Sequence, residues 1–268
     1  MAVQVNTFVY IMKNGERIEF SFDEAGCVIC VGAKELGGIS YQEFCRLFWS
    51  DHPIKAIEQQ LFLGMELYQD DGYLVRVVLG ELTPQEQEEW VARVRWKLNL
   101  TCGAMIVTGI FDEEESVSMP SFTNLDENEY ILQCYVEVPP AIYQVEIYSY
   151  APGDLSTGWG QITDPDLFPA EPGIQSESIK DYFLRTRQMT EIQPWIAYEI
   201  TEDKQKKQEI LSTLDDISYV NFIIRLSPII DDNLPLPKLD DNNFVAWEFR
   251  KPEKCPLGIL ANKQLKRW

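Results

Sequence analysis

The sequence predicts an α+β fold with mainly antiparallel sheets and several packed helices. Segments that favour strands come in pairs around turn motifs, and helix-start signals lie between these pairs instead of alternating with single strands. With 268 residues, 45% of them apolar, the chain can build a sizeable core. A β-sandwich-like core is one arrangement of such sheets.

Two hairpins are predicted in the first 80 residues. Apolar-rich segments at residues 3–12 and 16–22 flank Asn14-Gly15, two residues that tolerate the positive φ angles of a type I′ turn. Residues 66–79 resemble a second hairpin, which turns at Asp70-Asp71-Gly72. Each pair of strands is therefore expected to form neighbours in one sheet.

The clearest helix start lies at Thr83-Pro84. Thr83 is predicted to cap the helix, Pro84 suits its first position, and a glutamate at position 86 completes a capping box. Basic residues at positions 93, 95 and 97 would complement the dipole at the other end. We therefore expect a helix over residues 84–97.

The remaining elements are predicted from apolar periodicity and cap residues. Residues 130–138 and 142–150 are expected to be antiparallel strands joined at Pro139-Pro140. Ser176 and Thr201 are expected to cap two later helices. The other predictions are helices from a capping box at Ser40 to about Trp49 and at 53–63, 176–188 and 201–214, and strands at 26–32, 100–111, 195–200, 218–226 and 243–250.

Composition suggests three regions along the chain. They are an N-terminal α+β region at 1–82, a helix plus antiparallel β region with acidic loops at 83–250, and a basic tail at 251–268. The same pattern also fits a single domain. A break near residues 80–83 is the most plausible boundary, because a glycine there precedes the strong helix start.

The charge is strongly negative and unevenly distributed. The chain has 43 Asp and Glu against 23 Lys and Arg, for a net charge of −20. Because phosphate contacts need clustered cations, direct nucleic-acid binding is not expected. Between Lys97 and Lys180 the sequence contains 14 acidic residues and no basic one. This stretch indicates either a solubilising surface or a face that attracts a basic protein.

The partner-binding residues predicted from this pattern are seven acidic side chains and one tryptophan. The tryptophan lies between two glycines in a long loop, where its side chain either packs back over the core or serves as an exposed anchor. They are Asp112, Glu113, Glu114, Glu115, Asp126, Glu127, Glu129 and Trp159.

The N-terminus shows no basic region ahead of an apolar run, and no apolar run approaches the 20 residues of a membrane span. A cytoplasmic protein with no membrane contact is therefore expected. Its six cysteines are expected to be reduced, with Cys27, Cys102 and Cys134 buried in strands.

Catalytic and cofactor signals are weak. Cys27 and Cys30 form a C-x-x-C pair inside a strand-like run, where residues three apart point to opposite faces. His52 is the single histidine, and no nucleophile motif accompanies it. No Gly-rich nucleotide motif occurs. We therefore predict no catalytic residue, no metal ligand and no cofactor.

Three functions remain open. The first is an acidic interaction module, such as an inhibitor, an immunity-type protein or a regulator of a basic partner. The second is a hydrolase built on carboxylates, with or without a metal ion. The third is a structural subunit of a larger assembly, which would present a broad apolar patch.

Overall fold

Strands make up most of the regular structure in the computed structural model, which describes residues 9–23, 28–34, 53–67, 72–109, 133–150, 173–214, 218–229, 233–241 and 243–262. The strands of these ranges are β1 Val9–Ile11, β2 Arg17–Asp23, β3 Val28–Ala33, β4 Phe62–Glu66, β5 Gly72–Leu79, β6 Trp90–Leu100, β7 Ala104–Gly109, β8 Gln133–Glu137, β9 Ala141–Tyr150, β10 Phe222–Pro228 and β11 Glu248–Phe249. The helices are α1 Pro53–Glu58, α2 Pro84–Glu89, α3 Ile179–Thr186, a 3-10 turn at Met189–Glu191, α4 Pro194–Ile200 and α5 Lys204–Leu214. The helix predicted from Ser40 to about Trp49 lies outside the described residues.

The strands form two sheets, and the α+β prediction is confirmed. The first sheet has the order β1-β8-β7-β3-β4, and the second has the order β11-β6-β9-β10-β5-β2. Neighbours are antiparallel except for the parallel pairs β1–β8 and β5–β10. Antiparallel pairing therefore dominates both sheets.

The two sheets share one hydrophobic core. Val31 and Val107 of the first sheet belong to the same buried cluster as Val75, Ile147 and Ile224 of the second. All five side chains are inaccessible to solvent. Side chains from two facing sheets thus interdigitate as in a β-sandwich, and their burial is the main favourable contribution to folding.

The predicted hairpin at Asn14-Gly15 is wrong, and the turn that forms there is not of type I′, because Gly15 has a positive φ and Asn14 does not. Gly15 adopts a φ of +85°, and the Glu16 amide donates to the Lys13 carbonyl at 3.0 Å. The Gly15 amide also donates to the Leu79 carbonyl at 2.6 Å, which fixes the turn to the end of β5. The chain therefore crosses between sheets here, and Met12 and Phe20 on either side of the turn are both buried in the shared core.

The same correction applies to two other predicted strand pairs. In residues 66–79, β4 lies in the first sheet and β5 in the second, so they form no hairpin. The predicted strands at 130–138 and 142–150 also form, but β8 pairs with β7 while β9 pairs with β6 and β10. The segment at Pro139-Pro140 carries the chain across the sandwich.

The helix predicted over residues 84–97 is confirmed at its start and wrong in its length. Glu86 donates its amide to the Thr83 hydroxyl at 3.2 Å, and its carboxylate accepts from the Thr83 amide at 2.7 Å. The helix α2 ends at Glu89, and Trp90 begins the eleven-residue strand β6. Aromatic and β-branched residues favour the strand, because alternate positions of β6 face the core.

Several later boundaries differ from the predictions. Residues 195–200 were expected to be a strand but lie in α4, where Pro194 occupies the first position and Trp195 and Ile196 are buried. Ser178, not Ser176, caps α3. Asp203, not Thr201, accepts the amides of the first turn of α5. Helix α1 ends at Glu58, so the last part of the predicted 53–63 helix belongs to β4.

A helical layer covers the outer face of the second sheet. Tyr182 and Phe183 of α3 and Trp195 of α4 pack against Val91 of β6 and Cys255 of the C-terminal segment. Arg250 fastens this segment through hydrogen bonds to the carbonyls of residues 87, 88 and 90. The described part of the predicted basic tail is thus bound to the fold, and residues 263–268 lie outside the described residues. Within the described ranges, no helix has the length and apolar character that crossing a bilayer requires.

The cap of α2 provides a test of local stability. Replacing Thr83 with Ala removes the acceptor of the Glu86 amide, so the free energy of unfolding should fall by about 1 kcal/mol in urea denaturation. Thr83→Ser keeps the hydroxyl and should leave stability almost unchanged. Equal losses in both variants would contradict a capping role for the Thr83 oxygen.

Candidate functional site

Four connections leave the same end of the sandwich. In the first sheet, Glu66 pairs with Val28, and Gln133 pairs with Thr108. In the second sheet, Asp23 pairs with Gly72. Ser149, the residue before the last of β9, pairs with Phe222 at the start of β10. Residues 24–27 and 68–71 each join one sheet to the other in a few residues, so these strand ends are adjacent across the roughly 10 Å between sheets.

The sequences of these connections are unusually acidic. The connections are residues 24–27, 68–71, 110–132 and 151–172, the last being the first part of the link from β9 to β10, and together they contain 14 Asp and Glu and no Lys or Arg. We call this end of the sandwich, defined by the four connections, the acidic end. At the opposite end, the short connections 101–103 and 138–140 contain no charged residue, whereas residues 12–16 and 34–61 contain both acidic and basic residues.

The partner-binding residues predicted from sequence all lie in these connections. Asp112, Glu113, Glu114, Glu115, Asp126, Glu127 and Glu129 belong to residues 110–132, and Trp159 belongs to residues 151–172, so all eight lie outside the described residues. The fold nevertheless fixes where their connections begin and end. Residues 110–132 start and finish on the neighbouring strands β7 and β8.

The described residues are almost neutral by comparison. They hold 22 Asp and Glu against 19 Lys and Arg, so most of the net charge of −20 is carried outside them. Buried carboxylates within the described ranges are accompanied by arginines. Most of the negative excess therefore lies outside the described ranges, where the four connections contribute 14 carboxylates.

One network of ion pairs is buried on the outer side of the second sheet. Arg76 of β5 donates through Nε to Glu19 Oε1 at 2.7 Å and through Nη1 to Glu86 Oε1 at 2.7 Å. Arg17 donates to both carboxylate oxygens of Glu86. The amide of Asn262 donates to Glu19 Oε2 at 2.9 Å. The network thus joins β2, β5, α2 and the C-terminal segment.

The two arginines keep Glu86 ionised. Burial alone would favour the neutral acid, but hydrogen bonds from Arg17, the Thr83 amide and Arg76 lower the pKa of the Glu86 carboxyl. The stability that these bonds supply is present at neutral pH and is lost as the pH falls through the lowered pKa. A carboxylate held in this way has a structural role and is poorly suited to donate a proton.

Glu89 at the end of α2 is held differently. Its carboxylate accepts from the amides of Leu257 and Gly258 at 2.9 and 3.1 Å and from Arg187 at 3.2 Å. Burial nevertheless raises the pKa of the Glu89 carboxyl. Because amides and a guanidinium already occupy its oxygens, Glu89 ties the C-terminal segment to the helices and has little capacity to activate a substrate.

The described residues do not assemble a metal-binding or thiol site. Within these ranges, no three His, Cys, Asp or Glu side chains lie close enough together to hold a metal ion. Cys30, Cys134 and Cys255 are buried free thiols, and burial raises the pKa of Cys134 and of Cys255 to about 12. The prediction that Cys102 is buried in a strand is wrong, because it is exposed in the turn between β6 and β7. Cys27 and His52 lie outside the described residues.

Two cations that were predicted to lie near a helix end, Arg93 and Arg95, are instead on strand β6. Together with Lys238 they line a groove at the edge of the second sheet. The alternation of Arg93, Arg95 and Lys97 with apolar residues is a period-2 pattern, which is the sequence signal for a strand. The same three cations also fit the C-terminal end of a helix dipole, and a helix was predicted there for that reason.

No protein-family model and no curated protein matches the sequence. Two solved structures are similar to it at low identity. One, described as crocagin biosynthetic gene J, is 12% identical with a TM-score of 0.36, and the match covers 81% of this chain and 99% of that one. The other is ComJ from Bacillus subtilis, described as an inhibitor of the DNA degrading activity of NucA; it is 11% identical with a TM-score of 0.31, covering 81% and 98%. At these values neither structure assigns an activity to this chain.

The buried network provides a test that separates structural from exposed carboxylates. Glu86→Gln removes a charge between Arg17 and Arg76, so the free energy of unfolding at pH 7 should fall by about 3 kcal/mol. The difference from the original protein should shrink as the pH falls below about 4.5, because Glu86 of the original protein then takes up a proton and also loses its charge. Urea denaturation between about pH 2 and pH 7 measures both effects.

The matched control is Glu88→Gln, which neutralises an exposed glutamate on the same helix. It should change stability by less than about 0.5 kcal/mol. A loss from Glu88→Gln as large as that from Glu86→Gln would show that the net charge of α2 matters and that the buried network does not.

Proposed function

We propose that this protein is an interaction module that binds a basic protein partner through its acidic end, as an inhibitor, an immunity-type protein or a regulator. The observation that supports the proposal is that four connections, whose flanking strand ends meet at one end of the sandwich, contain 14 carboxylates and no Lys or Arg in their sequence. A near-neutral framework supports them.

The main connection begins and ends on neighbouring strands, because residues 110–132 leave β7 and return to β8. Its sequence contains seven carboxylates and no Lys or Arg. We infer that it presents negative charge to a basic protein, attracts it over distances of about one Debye length and speeds its association.

The seven acidic residues at positions 112–115, 126, 127 and 129 are the proposed contacts, with Trp159 as an apolar anchor. Charged residues at a rim set the association rate and its salt dependence, whereas a buried aromatic side chain contributes to the lifetime of the complex. The acidic residues should therefore affect the association rate constant, and Trp159 the dissociation rate constant.

The carboxylate hydrolase has less support from the described residues. Four of their carboxylates, those of Glu19, Glu86, Glu89 and Glu146, are buried. Each accepts a hydrogen bond from an arginine. A general acid or base needs a free position facing a cleft, which these pairs do not offer.

The proposal is tested by comparing two variants with equal net charge. The first carries Glu113→Gln, Glu114→Gln and Glu115→Gln at the acidic end. The second carries Glu88→Gln, Glu199→Gln and Glu209→Gln, which neutralise three exposed helical side chains. Proteins captured from the host lysate by the unmodified protein are identified, and association rates of the purified partner are then measured at 50 and 300 mM NaCl.

We expect a basic partner whose association rate falls about tenfold with the first variant and less than twofold with the second. The first variant should also show a weaker dependence on salt. Equal effects of the two variants would show that the association rate depends on net charge alone. They would contradict a binding role for the acidic end. Failure to capture any basic protein at 50 mM NaCl would contradict the proposal as well.

A further inference from the structure

A groove with chemistry opposite to that of the acidic end lies at the β11 edge of the second sheet. It has a volume of about 610 Å³, within the range of peptide and small-molecule sites. One side is formed by β6 and β11, and the other by the segment from Leu234 to Lys238. Its charged lining residues are Arg93, Arg95, Lys238 and Glu248, which makes three cations against one carboxylate.

The cations differ in how firmly they are held. Arg93 donates to both oxygens of Glu248 at 2.8 Å, and its guanidinium lies 4.6 Å from the centre of the Trp90 ring. Arg95 lies 3.5 Å from the same carboxylate, and 42% of its side chain is exposed. Lys238 is exposed and makes no ion pair with any described residue. Arg95 and Lys238 are therefore accessible to an incoming anion, whereas the guanidinium of Arg93 is already bound to Glu248.

The apolar wall is fixed before any ligand arrives. The amide of Ala246 donates to the Lys238 carbonyl at 2.9 Å, and the amide of Val245 donates to Gly64 of β4 at 2.8 Å. The indole of Trp247 donates to the Glu66 carbonyl at 3.0 Å. Leu236 remains 45% exposed on the rim. A preformed wall of this kind adds little ordering cost to binding.

The edge of the sheet favours an extended ligand. β11 pairs with β6 at two positions, Ala92 and Arg93, and the next residues of β6, Val94 and Arg95, line the groove instead. A peptide in extended conformation would continue alongside β6 where β11 stops, with alternate side chains directed into the groove and away from it.

We propose that this groove binds an extended acidic segment of a partner chain, with carboxylates at Arg95 and Lys238 and an apolar side chain against Leu236 and Trp247. Charge complementarity supports this ligand over a neutral peptide. The net charge of −20 does not prevent binding, because at physiological salt distant carboxylates are screened beyond about 8 Å while the groove cations are in direct contact. This site goes beyond the proposed function and concerns a different surface.

The probe is a fluorescein-labelled, N-acetylated and C-amidated pentapeptide, Asp-Leu-Phe-Asp-Leu, with the Asn-Leu-Phe-Asn-Leu peptide as its neutral match. Fluorescence anisotropy at 50 mM NaCl should give saturable binding with a Kd of about 10–100 μM. The double variant Arg95→Gln and Lys238→Gln should bind at least about tenfold more weakly. The neutral peptide should lose affinity to a similar extent.

The control is the double variant Lys204→Gln and Lys206→Gln, which removes two exposed cations of α5 and should change the Kd less than twofold. Lys238→Gln alone is the second test, because this exposed side chain can be replaced without disturbing the fold. Equal losses in the control, equal affinity for the neutral peptide, or no saturable binding of the original protein at 1 mM peptide would each overturn the proposal.

Discussion

The face-to-face packing of the two sheets is the constraint on which the rest of the structure depends. Because side chains of both sheets share one dry core, each strand must present its apolar face inward, and the chain passes repeatedly from one sheet to the other at the ends. These crossings decide which connections lie together. Four acidic connections that are far apart in sequence leave one end of the sandwich for this reason.

The charged residues of this molecule form two groups, which differ in whether residues of opposite charge accompany them. Within the framework, charges are buried in pairs: Arg76 lies between Glu19 and Glu86, and Arg225 donates to Glu146 at 2.6 Å. Removing one partner would leave a buried charge uncompensated, which is far more costly than losing an exposed one. The acidic connections carry carboxylates with no cation in their sequence, so their negative charge is available to attract another molecule.

The groove beside β6 adds a second surface with the opposite preference. Arg93 donates to Glu248 and lies over the ring of Trp90, and Arg250 also lies over this ring, 3.7 Å from its centre. That arrangement fixes the shape of the groove and leaves Arg95 and Lys238 accessible. Under the two proposals, a basic partner and an acidic segment bind at separate places on the protein.

Local sequence determined the features that depend on neighbouring residues. The capping box at Thr83, the turn at Gly15 and the strand character of residues 142–150 all follow from side-chain chemistry within a few positions. The α+β class and the excess of carboxylates between Lys97 and Lys180 could also be recognised from the sequence. The sequence alone therefore established the fold class and the overall charge, but it predicted the wrong type of element at residues 90–97 and 195–200.

The tertiary structure decided how these elements are combined. The helix predicted to reach Lys97 ends at Glu89 because the residues after it bury their alternate side chains in the shared core, and this long-range gain exceeds a local dipole preference. For the same reason Asn14-Gly15 joins strands of different sheets. Local signals specify where the chain turns, but burial of both sheet faces against each other selects the partners of each strand, and with them which charged residues come together.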